Sequence, residues 1–218
     1  MRTRVKICGI TRVDDGLAAA RAGADAIGVV FWPGTPRCVD RERARSIAAA
    51  LPPFVSLVGL FVDPTADEVR AALDAVPLAI LQFHGREPAP FCRAFGRPYL
   101  KAIPVAAGTD LLESVSSYGD AAGILLDAPP SDGLPGGTGR TFDWDRVRLP
   151  LPRPLVLSGG LSAENVGAAI RRFAPWAVDV SSGVEARDDE GRPVKGIKDA
   201  ARIAAFVAEV RNADVRPA

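Results

Sequence analysis

The stretch LVLSGGLSAENVGAAIRRFAPWAVDVSSGV, residues 155–184, reads as strand, turn, helix, strand, turn. Leu155, Val156 and Leu157 make a short apolar run closed by Ser158-Gly159-Gly160, and Ala177 to Val180 make a second run closed by Ser181-Ser182-Gly183. Between them, residues 163–173 carry apolar side chains at helical spacing. Two apolar strands joined through a helix form a crossover unit, which places them parallel in one sheet.

The same unit repeats toward the N-terminus. Strand-like runs fall at residues 5–8, 26–31, 56–62, 79–83, 99–103, 123–127, 155–158 and 177–180. Helix-like segments follow them at 13–22, 41–51, 66–75, 89–95, 110–118, 144–146, 163–173 and 198–211. Thr11, Asp40, Thr65 and Ser162 stand where N-caps are expected. Eight strand–helix units in 218 residues predict a single-domain (β/α)8 TIM barrel spanning residues 1–218, with an open doubly wound sheet as the structural alternative. The Gly/Pro-rich segment 129–139 reads as a functional loop or lid.

Composition narrows the function. An apolar fraction of 48%, a charged fraction of 24% and a net charge of +1 describe an ordinary globular chain and point to a small-molecule partner, with no nucleic acid and no membrane expected. No uninterrupted apolar run approaches the roughly 20 residues that span a bilayer, and the basic first residues lead straight into a strand-like segment. A cytoplasmic location is expected. The cysteines Cys8, Cys38 and Cys92 are widely spaced and His84 is the sole histidine, which fits neither a disulfide framework nor a transition-metal knuckle. No metal is expected.

In a parallel barrel, chemistry sits on the loops that leave the C-terminal ends of the strands. Lys6-Ile7-Cys8-Gly9-Ile10-Thr11 ends the first strand with a thiol at that mouth, although the same pattern suits an inert core cysteine. Ile124-Leu125-Leu126-Asp127 ends the sixth with a carboxylate, a position that also suits a helix cap. Together Cys8 and Asp127 can divide acid and base duties across one substrate. Glycines Gly159 and Gly160 after the seventh strand, and Ser182 and Gly183 after the eighth, read as anion cradles, where backbone N–H groups and a hydroxyl meet a phosphate. The Pro-rich loop 33–37 can present Arg37 to a carboxylate, or leave it as one more surface arginine. Gln82 and His84 close the fourth strand as a polar pair facing a ligand or as a structural one.

Taken in order, these segments resemble the phosphoribosylanthranilate isomerase family over nearly the whole chain. The resemblance rests on KICGIT at 6–11, the Thr-Pro-Arg loop ending at Arg37, QFHG at 82–85, the strand ending at Asp127, Gly-Thr-Gly at 137–139, SGGL from Ser158 and DVSSGVE at 179–185. It implies an Amadori rearrangement of a phosphosugar amine, without a cofactor. It implies Asp127 as the general acid for the furanose oxygen, Cys8 as a readily ionised base for the C2 proton, and Arg37 for the anthranilate carboxylate. Asp179 is implied for a sugar hydroxyl, and Gly159, Gly160, Ser182 and Gly183 for the phosphate. Thr35 departs from a common serine, Phe83 from a common aliphatic residue, and a charged run at 187–192 reads as a solvated loop.

Two other readings stand beside it. The imidazole isomerase of histidine biosynthesis performs the same rearrangement but resembles two carboxylate-bearing halves, with an aspartate where Cys8 stands. A barrel that binds a phosphometabolite without turning it over is the other. The outer helices suit a monomer and a homodimer equally.

Overall fold

Short apolar runs bounded by glycine and proline give eight parallel strands. They are β1 (Arg4–Ile7), β2 (Ala26–Val30), β3 (Ser56–Phe61), β4 (Ile80–Phe83), β5 (Tyr99–Pro104), β6 (Gly123–Asp127), β7 (Leu155–Leu157) and β8 (Ala177–Val180). The computed structural model describes residues 2–108, 110–129, 141–147 and 150–215. The strands pair in sequence order and close into a barrel. Closure comes from β1 against β8, which puts Lys6 opposite Asp179 and Ile7 opposite Val180. A doubly wound sheet keeps two open edges, so this pairing excludes that alternative.

The helices α1 (Val13–Ala22), α2 (Arg41–Ala50), α3 (Ala66–Ala75), α4 (Ala89–Cys92), α5 (Leu111–Ser116), α6 (Val166–Phe173) and α7 (Ala200–Val215) surround the barrel. Between β6 and β7 the described residues supply a 3-10 turn, Trp144–Arg146, where the sequence reads a helix. Trp144 meets Phe173 of α6 edge-on at 5.7 Å. Of the loop 129–139 only Pro129 is among the described residues, and Gly137–Gly139 lie outside them.

Two of the four expected caps form. Asp40 accepts the Arg43 N–H at 2.7 Å, and Thr65 forms a reciprocal capping box with Glu68, each worth about 1 kcal/mol. Thr11 and Ser162 do not cap. The Thr11 hydroxyl donates to the carbonyl of Gly196 instead, and α6 begins at Val166 after Asn165, whose side chain accepts the Ser162 N–H at 2.9 Å. In both cases a tertiary or loop partner outcompetes the local cap.

Strand alternation sorts the side chains. Ile7, Ile27, Phe61, Phe83 and Val178 point outward into the layer beneath the helices, each fully buried side chain contributing about 1.5–3 kcal/mol. Leu100, Ala102, Leu125, Val156 and Ala177 fill the barrel interior, and Cys8, Val30 and Leu60 form a further cluster. The chain then departs from its expected course. Glu185–Arg187 (β9) and Pro193–Lys198 (β10) pair as an antiparallel hairpin. The charged run expected as a solvated loop includes the hairpin's turn, where Arg192 pairs with Asp188 at 2.9 Å. The last helix, expected from residue 198, begins at Ala200, because Lys198 still belongs to β10, its N–H bonded to Asp15, and the Asp199 side chain accepts the N–H groups of Ala201 and Arg202 as a cap.

Candidate active site

Each strand end delivers its expected residue to the barrel mouth. Cys8 follows β1 directly, is buried, and donates its N–H to the Val180 carbonyl at the end of β8, 2.8 Å away. Burial pushes the Cys8 thiol up; Lys6 pulls it down and Asp179 pushes it up. The thiol is therefore less readily ionised than its motif implied. Asp179 carries a partner that the sequence did not show: its Oδ1 accepts from the Lys6 ammonium at 2.9 Å, both side chains being buried. Asp179 is spoken for by a cation from the neighbouring strand, before any sugar hydroxyl is considered.

Asp127 ends β6 and is buried. Its Oδ1 accepts the Ala128 N–H at 2.8 Å, and its Oδ2 lies 3.1 Å from His84 Nε2. His84 Nδ1 in turn lies 3.1 Å from Gln82 Nε2. The structure thus joins Gln82, His84 and Asp127 into one relay, which the sequence showed only as a polar pair and a separate carboxylate. The relay has two proton arrangements. With the Gln82 amide as placed, Nδ1 accepts and the Nε2–H donates to a carboxylate. With the amide turned over, Oε1 accepts from Nδ1–H, and Nε2 accepts from a protonated Asp127. Among the described residues Gln82 Oε1 is buried without a hydrogen-bond partner; turning the amide over gives that oxygen a partner and leaves the amide N–H groups in its former place, so the amide orientation does not choose between the two arrangements.

The turn carrying His84 is clamped from behind. Lys101, fully buried, donates to the Gly85 carbonyl at 2.6 Å and to Glu87 at 2.7 Å. Glu87 accepts the N–H groups of Asp63 and Gly85. This outer ion pair escaped the sequence reading, although a lysine inside an apolar strand is a signal for a buried partner.

Arg37 is buried and forms a bidentate pair with Glu185, Nε to Oε1 at 2.7 Å and Nη2 to Oε2 at 2.9 Å. Burial opposes the charge of Glu185, yet hydrogen bonding to Arg37, the charges of Lys198 and Arg37, and the Gly196 N–H hold its carboxyl below the usual range. Burial lowers Lys198 to about 8, against the pull of Glu185 and with a further push from Arg37. Neither Glu185 nor Lys198 carried a role in the sequence, since Arg37 lies 148 residues from Glu185 and only the hairpin fold brings Lys198 back onto Glu185 and Ser181.

The two glycine loops meet at one cavity, and the two glycines after β7 play different parts. Gly160, Ser182, Gly183, Arg37 and Lys195 border one cavity of about 620 Å³. Gly183 is pressed so closely on loop seven that an added Cβ would sit 2.0 Å from the Leu161 carbonyl oxygen. Gly159 faces the other way, at φ +82°, where a Cβ would lie 2.8 Å from the Ala128 nitrogen and 3.2 Å from Asp127 Oδ1. Its placement serves the carboxylate, while Gly160 serves the cavity.

A closed parallel barrel with ionisable groups gathered at its strand ends is the architecture of a (β/α)8 barrel enzyme. The family model for N-(5'-phosphoribosyl)anthranilate (PRA) isomerase matches residues 5–209. An N-(5'-phosphoribosyl)anthranilate isomerase of Pseudomonas aeruginosa is 57% identical over 209 residues, covering 96% of this chain and 95% of the relative. The solved phosphoribosyl anthranilate isomerase of Thermotoga maritima superposes with a TM-score of 0.82 at 41% identity, over 96% of this chain and 99% of that one. A solved phosphoribosyl anthranilate isomerase in complex with reduced 1-(o-carboxyphenylamino)-1-deoxyribulose 5-phosphate superposes at 0.78 and 39% identity, again over 96% and 99%. The chain belongs to the N-(5'-phosphoribosyl)anthranilate isomerase family.

Proposed function

We propose that this chain isomerises N-(5'-phosphoribosyl)anthranilate to 1-(2-carboxyphenylamino)-1-deoxyribulose 5-phosphate in tryptophan biosynthesis, with Asp127 as general acid and Cys8 as general base. The observation that carries the assignment of roles is the Gln82–His84–Asp127 relay, which orients a buried carboxyl at the barrel mouth for proton transfer to a substrate.

The steps balance within the substrate and these two groups. The Asp127 carboxyl gives its proton to the ring oxygen, whose bond to C1 breaks as the amine nitrogen forms a C1=N bond. The Cys8 thiolate takes the C2 proton, and the electron pair left behind forms C1=C2 while the iminium is neutralised to an enolamine. The C2 hydroxyl proton then moves to C1, leaving the ketone, and a proton returning from the thiol to the Asp127 carboxylate resets the site. Arg37, anchored by Glu185, offers a guanidinium to the substrate carboxylate. Gly160, Ser182 and Gly183 border the cavity that takes the phosphate.

Steady-state conversion of freshly made phosphoribosylanthranilate, followed by loss of anthranilate-type fluorescence with no metal or nucleotide added, tests the reading. Robust turnover is expected. No turnover from well-folded protein would turn the assignment toward another phosphosugar or toward binding alone.

A further inference from the structure

The proposed base is a puzzle by itself. A thiol this buried resists ionisation, and the relay around Asp127 does not reach it. The charged groups that face Cys8 are Lys6 from its own strand, Asp179 from β8 and Lys198 from β10. Lys6 is the one whose position is built for the purpose. Residues two apart on a strand share a face, so Lys6 and Cys8 both point into the barrel, the lysine one layer below the sulfur.

The neighbouring strand makes room for them to meet. At Gly28 of β2, an added Cβ would lie 2.8 Å from Cys8 Sγ and 3.2 Å from Lys6 Cε. The φ of Gly28 is not among the positive ones, so its backbone does not demand glycine; the side chains opposite it do. On the other flank, Lys6 stands in register with Asp179 and holds it at 2.9 Å. Burial alone would strip a lysine of its charge, and Asp179, then Cys8, offset that burial and keep Lys6 protonated.

We propose that Lys6 is a positioning residue for the base: fixed by Asp179 in the space left by Gly28, its ammonium is the built-in counter-charge of the Cys8 thiolate. For its catalytic consequence this rests on the reading of Cys8 as base. When the thiolate takes the C2 proton it becomes a neutral thiol, and Lys6 keeps its own proton because Asp179 stays beside it. The same arrangement gives Asp179 a task other than a sugar hydroxyl.

The test reads Cys8 itself. In the full chain carrying Cys38→Ser, thiolate is titrated by its ultraviolet absorbance, with a Cys8→Ser protein as the blank. Lys6→Met is expected to move the midpoint up by about one pH unit or more, leaving roughly tenfold less thiolate at any pH below it. The acidic limb of kcat/KM should move in the same direction by the same amount. Because Lys6→Met strands a buried carboxylate, Lys6→Met/Asp179→Asn is measured beside it, with Asp179→Asn as its reference since Asp179 itself pushes the thiol up, and that comparison carries the result if the single variant does not fold. Gly28→Ala keeps every charge and should still raise the midpoint by forcing sulfur and lysine apart. An unchanged midpoint in both lysine variants would overturn the proposal. A raised midpoint together with normal turnover of Cys8→Ala would keep the Lys6 assignment and remove the base reading.

Discussion

Arg37 and Glu185 meet as a buried fork, two N–H groups on two carboxylate oxygens at 2.7 and 2.9 Å. Lys198 Nζ stands 3.3 Å from the same Glu185 and 2.9 Å from the Ser181 carbonyl. The arginine proposed for the substrate carboxylate is thus set by a hairpin that follows the last barrel strand.

Removing either partner should have different consequences. Arg37→Ala is expected to raise KM for phosphoribosylanthranilate by about tenfold or more with a smaller change in kcat, as loss of one charge-assisted contact predicts. Binding of a phosphosugar without the carboxylate should change much less, and equal losses would refute the carboxylate role. Glu185→Gln leaves a buried cation short of its counter-ion and should cost about 3–5 kcal/mol by denaturant unfolding.

Lys198 gives the site a pH dependence. Its folded value, about 8, lies below the ordinary 10.5, so between these values the unfolded chain holds more protons than the folded one. The lysine's contribution to stability therefore rises with pH across that window. Binding should run the other way, because a neutral Lys198 no longer draws Glu185 and Ser181 together. KM is expected to climb severalfold as pH rises through about 8. Lys198→Met should flatten that climb; a climb that persists in the variant assigns it elsewhere.

Cys8→Ala and Asp127→Asn should each remove about two or more orders of magnitude from kcat while far-ultraviolet circular dichroism and unfolding midpoints stay close to the parent. Near-normal turnover in either would withdraw that residue's role.

His84 acts on Asp127 through a single contact of 3.1 Å. His84→Asn should lower kcat on the order of tenfold to a hundredfold with KM nearly unchanged. A change confined to KM would make His84 a binding residue.

Gly183→Ala would drive a Cβ into the Leu161 carbonyl, backbone against backbone, so loops seven and eight must separate. A rise in KM with an unshifted pH profile is expected, together with about 1–3 kcal/mol of lost stability. An unaltered KM would remove this loop from the phosphate site.

Much of this protein is written locally. Strand period, helical period and the turn residues between them describe the eight units, and the caps at Asp40 and Thr65 follow from chemistry three residues away. The thiol after β1 and the carboxylate at the end of β6 are legible for the same reason: a strand's end lies at the barrel mouth wherever the strand sits in the sheet, and alternation along the strand decides which of its last residues turns inward. What the tertiary structure alone decided is partnership. Lys6 finds Asp179 across 173 residues and Arg37 finds Glu185 across 148, and neither pairing exists until the barrel closes and the hairpin folds over its rim. A local pattern specifies which way a side chain points. Burial then makes an unpaired charge untenable, but only closure determines which opposite charge is near enough to answer it.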